Sequence, residues 1–141
     1  MSDKPIVTVR ECMNTRFDVL DEMQTIREAL TCLQNPENKC AIVQKRDEHD
    51  EYGLLSLADV GRQVLAQGRS PDRVNVYEVA QKPVISVHAD MDVRYCARLF
   101  ERHRLPRAPV VEHNGSTGLE VIGIVAFTHL VMRGMIKHRA L

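Results

Sequence analysis

Ser56 and Asp59 are the residues of this chain best placed to hold a ligand. They stand where a strand expected over Tyr52 to Leu55 runs into a helix expected from Leu57 to about Leu65. A helix start leaves backbone N–H groups without intrahelical partners, and the helix dipole adds partial positive charge, so a phosphate group is favoured there. The Ser56 hydroxyl supplies one more donor. Asp59, in the first turn, can accept hydrogen bonds from both hydroxyls of a ribose, and because a carboxylate repels phosphate its place is at the sugar end of such a ligand. Phosphate then calls for a cation, and Lys39, at the entry to the strand Cys40 to Val43, is the nearest source along the chain. The same Ser-x-x-Asp spacing is also an ordinary helix cap. Thr25-x-x-Glu28 has that form with no ligand implied, so both readings stand.

These residues belong to a unit written twice. Gly53-Leu54-Leu55-Ser56-Leu57-Ala58-Asp59 returns as Gly123-Ile124-Val125-Ala126-Phe127-Thr128-His129, an offset of 70. Earlier in the chain the offset is 67, carrying Val9 to Val76, Glu11 to Glu78, Ile26 to Val93, Ala41 to Ala108 and Val43 to Val110. The three extra residues fall in the polar turn from Glu112 to Gly118, where insertions are tolerated. Two copies are too few for a stacked array and point to a closed pseudo-symmetric pair. A unit of about 60 residues buries only about 60% of its unfolded surface, so the halves are expected to share a core and fold as one domain. The second copy replaces Ser56 and Asp59 by Ala126 and His129.

The elements needed to position these residues follow in the same order in each copy. In the first, Thr25 and Glu28 open a helix with the apolar stripe Ile26, Ala29, Leu30 and Leu33, and Pro36 ends it. The strand Cys40 to Val43, the charged turn Gln44 to Glu51, the strand Tyr52 to Leu55 and the helix from Leu57 follow, with Gly68 and Pro71 in a linker. In the second, a strand at Val84 to Val87 precedes a helix from Asp92 to about His103. Strands at Ala108 to Val111 and Val121 to Val125 come next, and a closing helix runs from Phe127 to about Lys137. The fold class is therefore α+β, each copy being a small sheet with helices on one side.

Composition excludes several functions. The 19 basic and 19 acidic side chains cancel, which removes the electrostatic footprint of a nucleic-acid binder, and three Phe, three Tyr and no Trp leave little for stacking bases. No apolar run is long enough to cross a membrane, and Met1-Ser2-Asp3-Lys4-Pro5 does not begin a signal peptide, so the expected location is the cytoplasm. Cys12, Cys32, Cys40 and Cys96 show no C-x-x-C spacing and are expected to be reduced and mostly buried. The six histidines lack metal-ligand spacing. Ser56 has no histidine at a justifiable spacing and no carboxylate pair stands out, so the chain is not expected to be an enzyme. Met132, Met135 and Ile136 read as packing or dimer-interface material, and Arg133, Lys137, His138 and Arg139 suit the negative end of a helix dipole.

Pro83-Val84-Ile85-Ser86-Val87 and His103-Arg104-Leu105-Pro106-Arg107-Ala108-Pro109-Val110-Val111, with the two Gly-led segments, carry a likeness to a known family. On them the chain resembles a pair of CBS domains, the regulatory module named after cystathionine β-synthase. It implies two β-α-β-β-α repeats, at 9–68 and 74–137, packed as one Bateman-type module. It further implies a regulator, not an enzyme, that binds AMP, ADP, ATP or S-adenosylmethionine in clefts between repeats, forms a homodimer and signals to a partner protein. In one cleft Ser56, Asp59 and Lys39 would face an adenine wall of Ala80, Ile85, Leu105 and Pro106. The second would combine Met13, Phe17 and Arg107 with Ala126 and His129. Without a carboxylate it is expected to be empty or to take something else, with His129 either an anion-binding imidazolium or a solvent-facing or capping histidine. The alternative to the nucleotide sensor is an interaction module with no nucleotide ligand.

Overall fold

The computed structural model of the chain describes residues 6–116 and 118–136. Thr117 and the helix-dipole candidates Lys137, His138 and Arg139 lie outside the described residues, as do Met1 to Pro5.

The first sheet has three strands, β1 (Val19–Leu20), β2 (Cys40–Val43) and β3 (Gly53–Ser56), in the order β1-β2-β3. β1 runs parallel to β2 and β2 antiparallel to β3, with Cys40 opposite Ser56 and Val43 opposite Gly53. The second sheet repeats this with β4 (Val87–His88), β5 (Arg107–Asn114) and β6 (Gly118–Ala126). The register shifts between Val110 and Val111, opposite Gly123 and Val121. This bulge takes up part of the change of offset that the sequence shows.

The helices follow from their caps. α1 (Ile26–Cys32) begins with the expected reciprocal cap, Glu28 N–H donating to Thr25 Oγ1 at 3.1 Å and Thr25 N–H to Glu28 Oε1 at 3.0 Å. α2 (Leu57–Val60) follows β3, and α3 (Val76–Val79) is a short turn absent from the sequence expectation. α4 (Val93–His103) has Asp92 as its cap and ends at Arg104 in the left-handed region. α5 (Phe127–His129) follows β6. The two helices expected from Leu57 and from Phe127 each widen into π-helical turns after the first turn, at Gly61–Leu65 and Leu130–Met135. The strand expected at Val84 to Val87 is only Val87–His88, because pairing with β5 is confined to Val87↔Val110 and His88↔Val111.

Two compact units emerge, and their seams do not follow the repeats. One is Arg16–Val84; the other joins the segment ending at Thr15 to the residues from Ile85 onward. Among the described residues, each unit has a core cluster of its own. Leu20, Ile26, Ala29, Val43 and Leu55 pack with Val74, Val76 and Val79, which precede the second repeat's own sheet. Val87, Val93, Cys96, Phe100 and Val110 pack with Val7, Val9 and Cys12. Each sheet thus completes its core with the leading segment of the other repeat.

Equivalent backbone bonds fasten the two borrowed segments. Ile26 N–H donates to Val74 O at 2.8 Å, and its counterpart Val93 N–H donates to Val7 O at 3.0 Å. Val76 N–H reaches Gln24 O at 2.8 Å, and Val9 N–H reaches Met91 O at 2.9 Å. The same segments close the free edge of each sheet through the bridges Leu54↔Gln81 and Asn14↔Ile124. This explains the glycine that leads each repeated motif. A Cβ on Gly53 would stand 2.9 Å from Gln81 O, and one on Gly123 would stand 2.7 Å from both Asn14 O and Met13 Sδ.

Candidate functional site

The corner between β3 and α2 carries Ser56 and Asp59, and the corner between β6 and α5 carries Ala126 and His129. In the first, Ser56 Oγ accepts the Asp59 N–H at 3.0 Å. Leu57 N–H donates to Lys39 O at 2.9 Å. Two of the N–H groups expected to be free for a phosphate are therefore taken, because the residue before β2 lies against the helix start. Lys39 itself sits in the left-handed region (φ 62°) and is exposed, and it is its carbonyl that reaches this corner.

Asp59 is held from its own helix. Its Oδ1 accepts from Arg62 Nη2 at 2.6 Å, with the Asp59 side chain 13% exposed and that of Arg62 70% exposed. Arg62 lies in the π-helical turn, where the widened backbone changes the spacing between successive turns. Sequence reasoning missed Arg62, although an acid followed three residues later by a base on a helix is a standard pairing.

The second corner inverts the cap. Ala126 has no hydroxyl to offer; instead the N–H of Ala126 donates to His129 Nδ1 at 3.2 Å. A reciprocal capping box has two bonds, and the first corner keeps one of them while the second keeps the other. An Nδ1 that accepts a hydrogen bond carries no proton, and burial, followed by the charges of Arg133 and Arg107, pushes the His129 pKa below its usual value. Of the two roles expected for His129, the capping imidazole is the one the geometry presents, and the imidazolium is disfavoured. Arg133, expected at the helix dipole, instead donates through Nη1 to Cys12 O and to Asn14 Oδ1, both at 2.8 Å.

The remaining candidates divide between the units. Arg16–Val84 contains Ser56, Asp59, Lys39, Phe17 and Ala80. Ala80, expected on the wall facing Ser56 from the other repeat, belongs to the same unit as Ser56, beside the Gln81 bridge to Leu54. Ile85, Leu105, Pro106, Met13, Arg107, Ala126 and His129 belong to the other unit. Ile85 is exposed, Leu105 packs on the core around Phe100, and Pro106 O accepts the Phe127 N–H at 2.8 Å, the counterpart of the Lys39–Leu57 bond. Four of the five residues proposed for the second cleft therefore share one unit: Met13, Arg107, Ala126 and His129.

A charge cluster that the sequence did not point to fixes the turn before β3. Lys82 Nζ bonds Asp50 Oδ2 at 2.6 Å and Glu22 Oε2 at 3.4 Å, and Arg46 Nε reaches Glu22 Oε1 at 2.9 Å. The Lys82 hydrogen bond, with backbone donors behind it, holds the Asp50 carboxyl well below the usual carboxylate range. The buried thiols offer little reactivity by contrast. Cys12, Cys40 and Cys96 are buried and Cys32 is exposed, and burial pushes the Cys96 thiol up to about 12. Among the described residues no group of three or more His, Cys, Asp or Glu could hold a metal ion, and no helix is long and apolar enough to cross a membrane.

A sequence profile of the CBS domain matches residues 76–135. The hexameric CBS-CP12 protein from bloom-forming cyanobacteria superimposes with a TM-score of 0.83 at 28% identity, over 94% of this chain and 75% of that one. Residues 76–135 thus match the CBS domain, and the chain as a whole is similar in fold to CBS-domain proteins. Its α+β fold of two three-stranded sheets with helices is that of CBS-domain pairs. Among relatives, the CBS domain-containing protein YhcV of Bacillus subtilis is 24% identical over 123 residues, covering 87% of this chain and 86% of that protein. The uncharacterized protein MK0525 of Methanopyrus kandleri is 32% identical over 90 residues, 64% of this chain, and the match spans 43% of MK0525. The CBS domain pair of MJ0100, solved in complex with 5'-methylthioadenosine and S-adenosyl-L-methionine, shares the fold at a TM-score of 0.74 and 22% identity, over 94% of this chain and 99% of that one.

Proposed function

We propose that this protein is a cytoplasmic, non-catalytic regulator that binds an adenosine-containing nucleotide at the Ser56–Asp59 corner and signals its occupancy to a partner. The observation that carries the reading is the state of Asp59. Its carboxylate is largely covered, yet its ion-pair partner Arg62 is 70% exposed. An exposed pair of this kind contributes roughly 0.2–1 kcal/mol, whereas each hydrogen bond from a ribose hydroxyl to a carboxylate is worth about 1.5–3 kcal/mol. A vicinal diol therefore outcompetes Arg62 for the carboxylate. The complex of MJ0100 with two adenosyl compounds supports the ligand class, which includes AMP, ADP, ATP and S-adenosylmethionine.

The output would pass through a homodimer. In the Arg16–Val84 unit an apolar groove of about 310 Å³ is lined by Ile26, Leu30, Val60, Val64 and Leu65. Its counterpart in the other unit, about 280 Å³, is lined by Val93, Ala97, Leu130, Val131 and Met135. Leu65, Met132, Met135 and Ile136 are 57–81% exposed, and covering such side chains is the gain that draws a second copy. Ligand binding at Asp59 frees Arg62, whose π-helical turn also lines the first groove, so occupancy and association are linked.

A second reading is favoured by the Ser56–Asp59 bond itself, which is a complete cap without any ligand. On that reading the protein is an interaction module that binds no nucleotide. Titration calorimetry with AMP, ADP, ATP and S-adenosylmethionine separates the two. Binding abolished by Asp59→Ala with the fold retained is expected of the sensor. Absence of heat and of any thermal shift with all four compounds overturns it.

A further inference from the structure

The chain is neutral as a whole, but its two units are not. Residues 16–84 hold 9 of the 19 basic and 12 of the 19 acidic side chains, which leaves 10 and 7 to the rest. Unpaired positive charge gathers on the outer face of α4. Tyr95, Arg98 and Arg102 stand at i, i+3 and i+7, away from the buried Val93, Cys96 and Phe100. All three are exposed, Tyr95 by 61%, and the Arg98 guanidinium lies 5.3 Å from the centre of the Tyr95 ring. Arg104, the left-handed cap of the helix, extends the row. Arg94 pairs with Asp92 at 2.8 Å, but Arg98, Arg102 and Arg104 form no ion pair among the described residues. The helix dipole accounts for a base in the last turn, such as Arg102, but not for Arg98 in the middle. Nor does the fold demand this row: at the offset of 67, Thr31, Asn35 and Glu37 stand in place of the three arginines.

A surface of opposite sign lies in the other unit, on the turn between β2 and β3. Asp50 holds this turn from within, its Oδ2 accepting the Arg46 N–H at 2.9 Å and Lys82 Nζ at 2.6 Å, while Asp47 Oδ1 accepts the His49 N–H at 2.8 Å. The turn's own cations are engaged, Arg46 with Glu22 and Asp50, and Lys45 over the Tyr52 ring at 4.9 Å. Asp47, Glu48 and Glu51 stay exposed and pair with no Lys or Arg among the described residues. We propose that the Tyr95–Arg98–Arg102 face of α4 docks the 47–51 turn of a second copy. The contact is separate from the apolar grooves and independent of the Ser56–Asp59 reading. Arginine forks suit carboxylates, and Tyr and Arg are the residue types that anchor interfaces. A turn already held in shape loses little freedom on docking. Zero net charge removes the repulsion that keeps highly charged copies apart. Five residues on one helix face make a small contact, of the weak and salt-sensitive class.

Sedimentation velocity of the full chain at about 0.01 M and about 1 M salt, where charges are screened over roughly 30 Å and 3 Å, reads the contact. Average mass is expected to rise with protein concentration at low salt, and that rise to vanish at high salt. Arg98→Glu with Arg102→Glu, and Glu48→Lys with Glu51→Lys, should each weaken association on the order of 10-fold or more. The two double variants mixed in equal amounts, or all four changes in one chain, place opposite charges across the contact again and should recover it. Arg16→Glu with Arg73→Glu gives the same net charge as the first variant at exposed sites elsewhere and should weaken association distinctly less. Met135→Glu, aimed at the groove pairing, should leave the salt-sensitive association intact, so the two interfaces fail separately. No rise in mass at low salt, indifference to either reversal, no recovery in the fourfold swap, or an equal loss in the Arg16 and Arg73 variant overturns the proposal. So does capture of RNA or anionic lipid vesicles that is lost in Arg98→Glu with Arg102→Glu while the unaltered chain does not self-associate, which assigns the face to a polyanion.

Discussion

The β3–α2 and β6–α5 corners occupy equivalent places in two equivalent sheets, yet they cap their helices with opposite halves of one motif. At the first, a hydroxyl receives the N–H three residues on; at the second, an imidazole receives the N–H three residues back. The backbone demand is the same at both and only one bond is needed to meet it, so the other position is released to change. In the first copy the released residue is Asp59, which turns to Arg62. In the second it is Ala126, and the space beside it belongs to Arg107. A duplicated scaffold can thus present a carboxylate at one corner and a basic cluster at the other without altering the fold.

The comparison can be broken most forcefully in the cores. Phe100 is fully buried, whereas its counterpart Leu33 is only partly so. Phe100→Ala is expected to cost about 3–5 kcal/mol in urea unfolding and Leu33→Ala distinctly less. Equal losses would mean that the two units unfold as one and conceal the difference. Next come the glycines. Gly123→Ala brings a methyl group to 2.7 Å from Asn14 O and Gly53→Ala to 2.9 Å from Gln81 O, so each should lose about 1–3 kcal/mol, the former more. Native-state hydrogen exchange checks the site of damage: the Asn14 and Ile124 amides should lose protection in the first variant, and the Leu54 and Gln81 amides in the second.

The caps give smaller effects of different kind. Ser56→Ala should cost about 1 kcal/mol at any neutral pH. The His129 cap depends on pH. Its folded pKa lies below the usual 6.5, so the unfolded chain binds the proton first as pH falls. The stability it contributes is complete above 6.5, declines as pH drops below that value, and levels off once the folded state is protonated too. His129→Gln should remove that slope, and a slope unchanged in the variant would show that another group causes it. Asp50 titrates in a separate window, its contribution being lost only as pH falls below the ordinary 3.8 towards its depressed folded value. The smallest change is Arg62→Ala, worth no more than about 1 kcal/mol of stability because the pair is exposed. Its informative readout is nucleotide affinity, which should rise when the competitor for Asp59 is removed.

Much of this fold was legible because local chemistry repeats with the chain. The Thr25–Glu28 cap and the strands Cys40–Val43 and Ala108 to Val111 depend on neighbours a few residues apart, and the offsets of 67 and 70 show in a direct comparison of the two copies. The exchange of leading segments was not, since Gln81 meets Leu54 and Asn14 meets Ile124 through backbone bonds that leave no trace in side-chain periodicity. One signal did exist. Gly53 and Gly123 lead their motifs inside strands, where glycine marks the close approach of another backbone. At the corners, spacing revealed Ser56 and Asp59 but not the helix turn that commits Asp59 to Arg62. Nor could it show Arg133 reaching back 119 residues to Asn14. The π-helical turns were likewise hidden: each holds a glycine, Gly61 and Gly134, but a glycine within a helical pattern does not specify an i→i+5 turn.

The lending of Val7–Asn14 to one sheet and Val74–Gln81 to the other bears on how such a chain can be cut and how it arose. A gene severed between the repeats would yield two polypeptides, each lacking the strip that seals its own sheet and carrying one made for its sibling. An ancestor with a single copy would have faced the same want, and could have met it only by trading that strip with a twin.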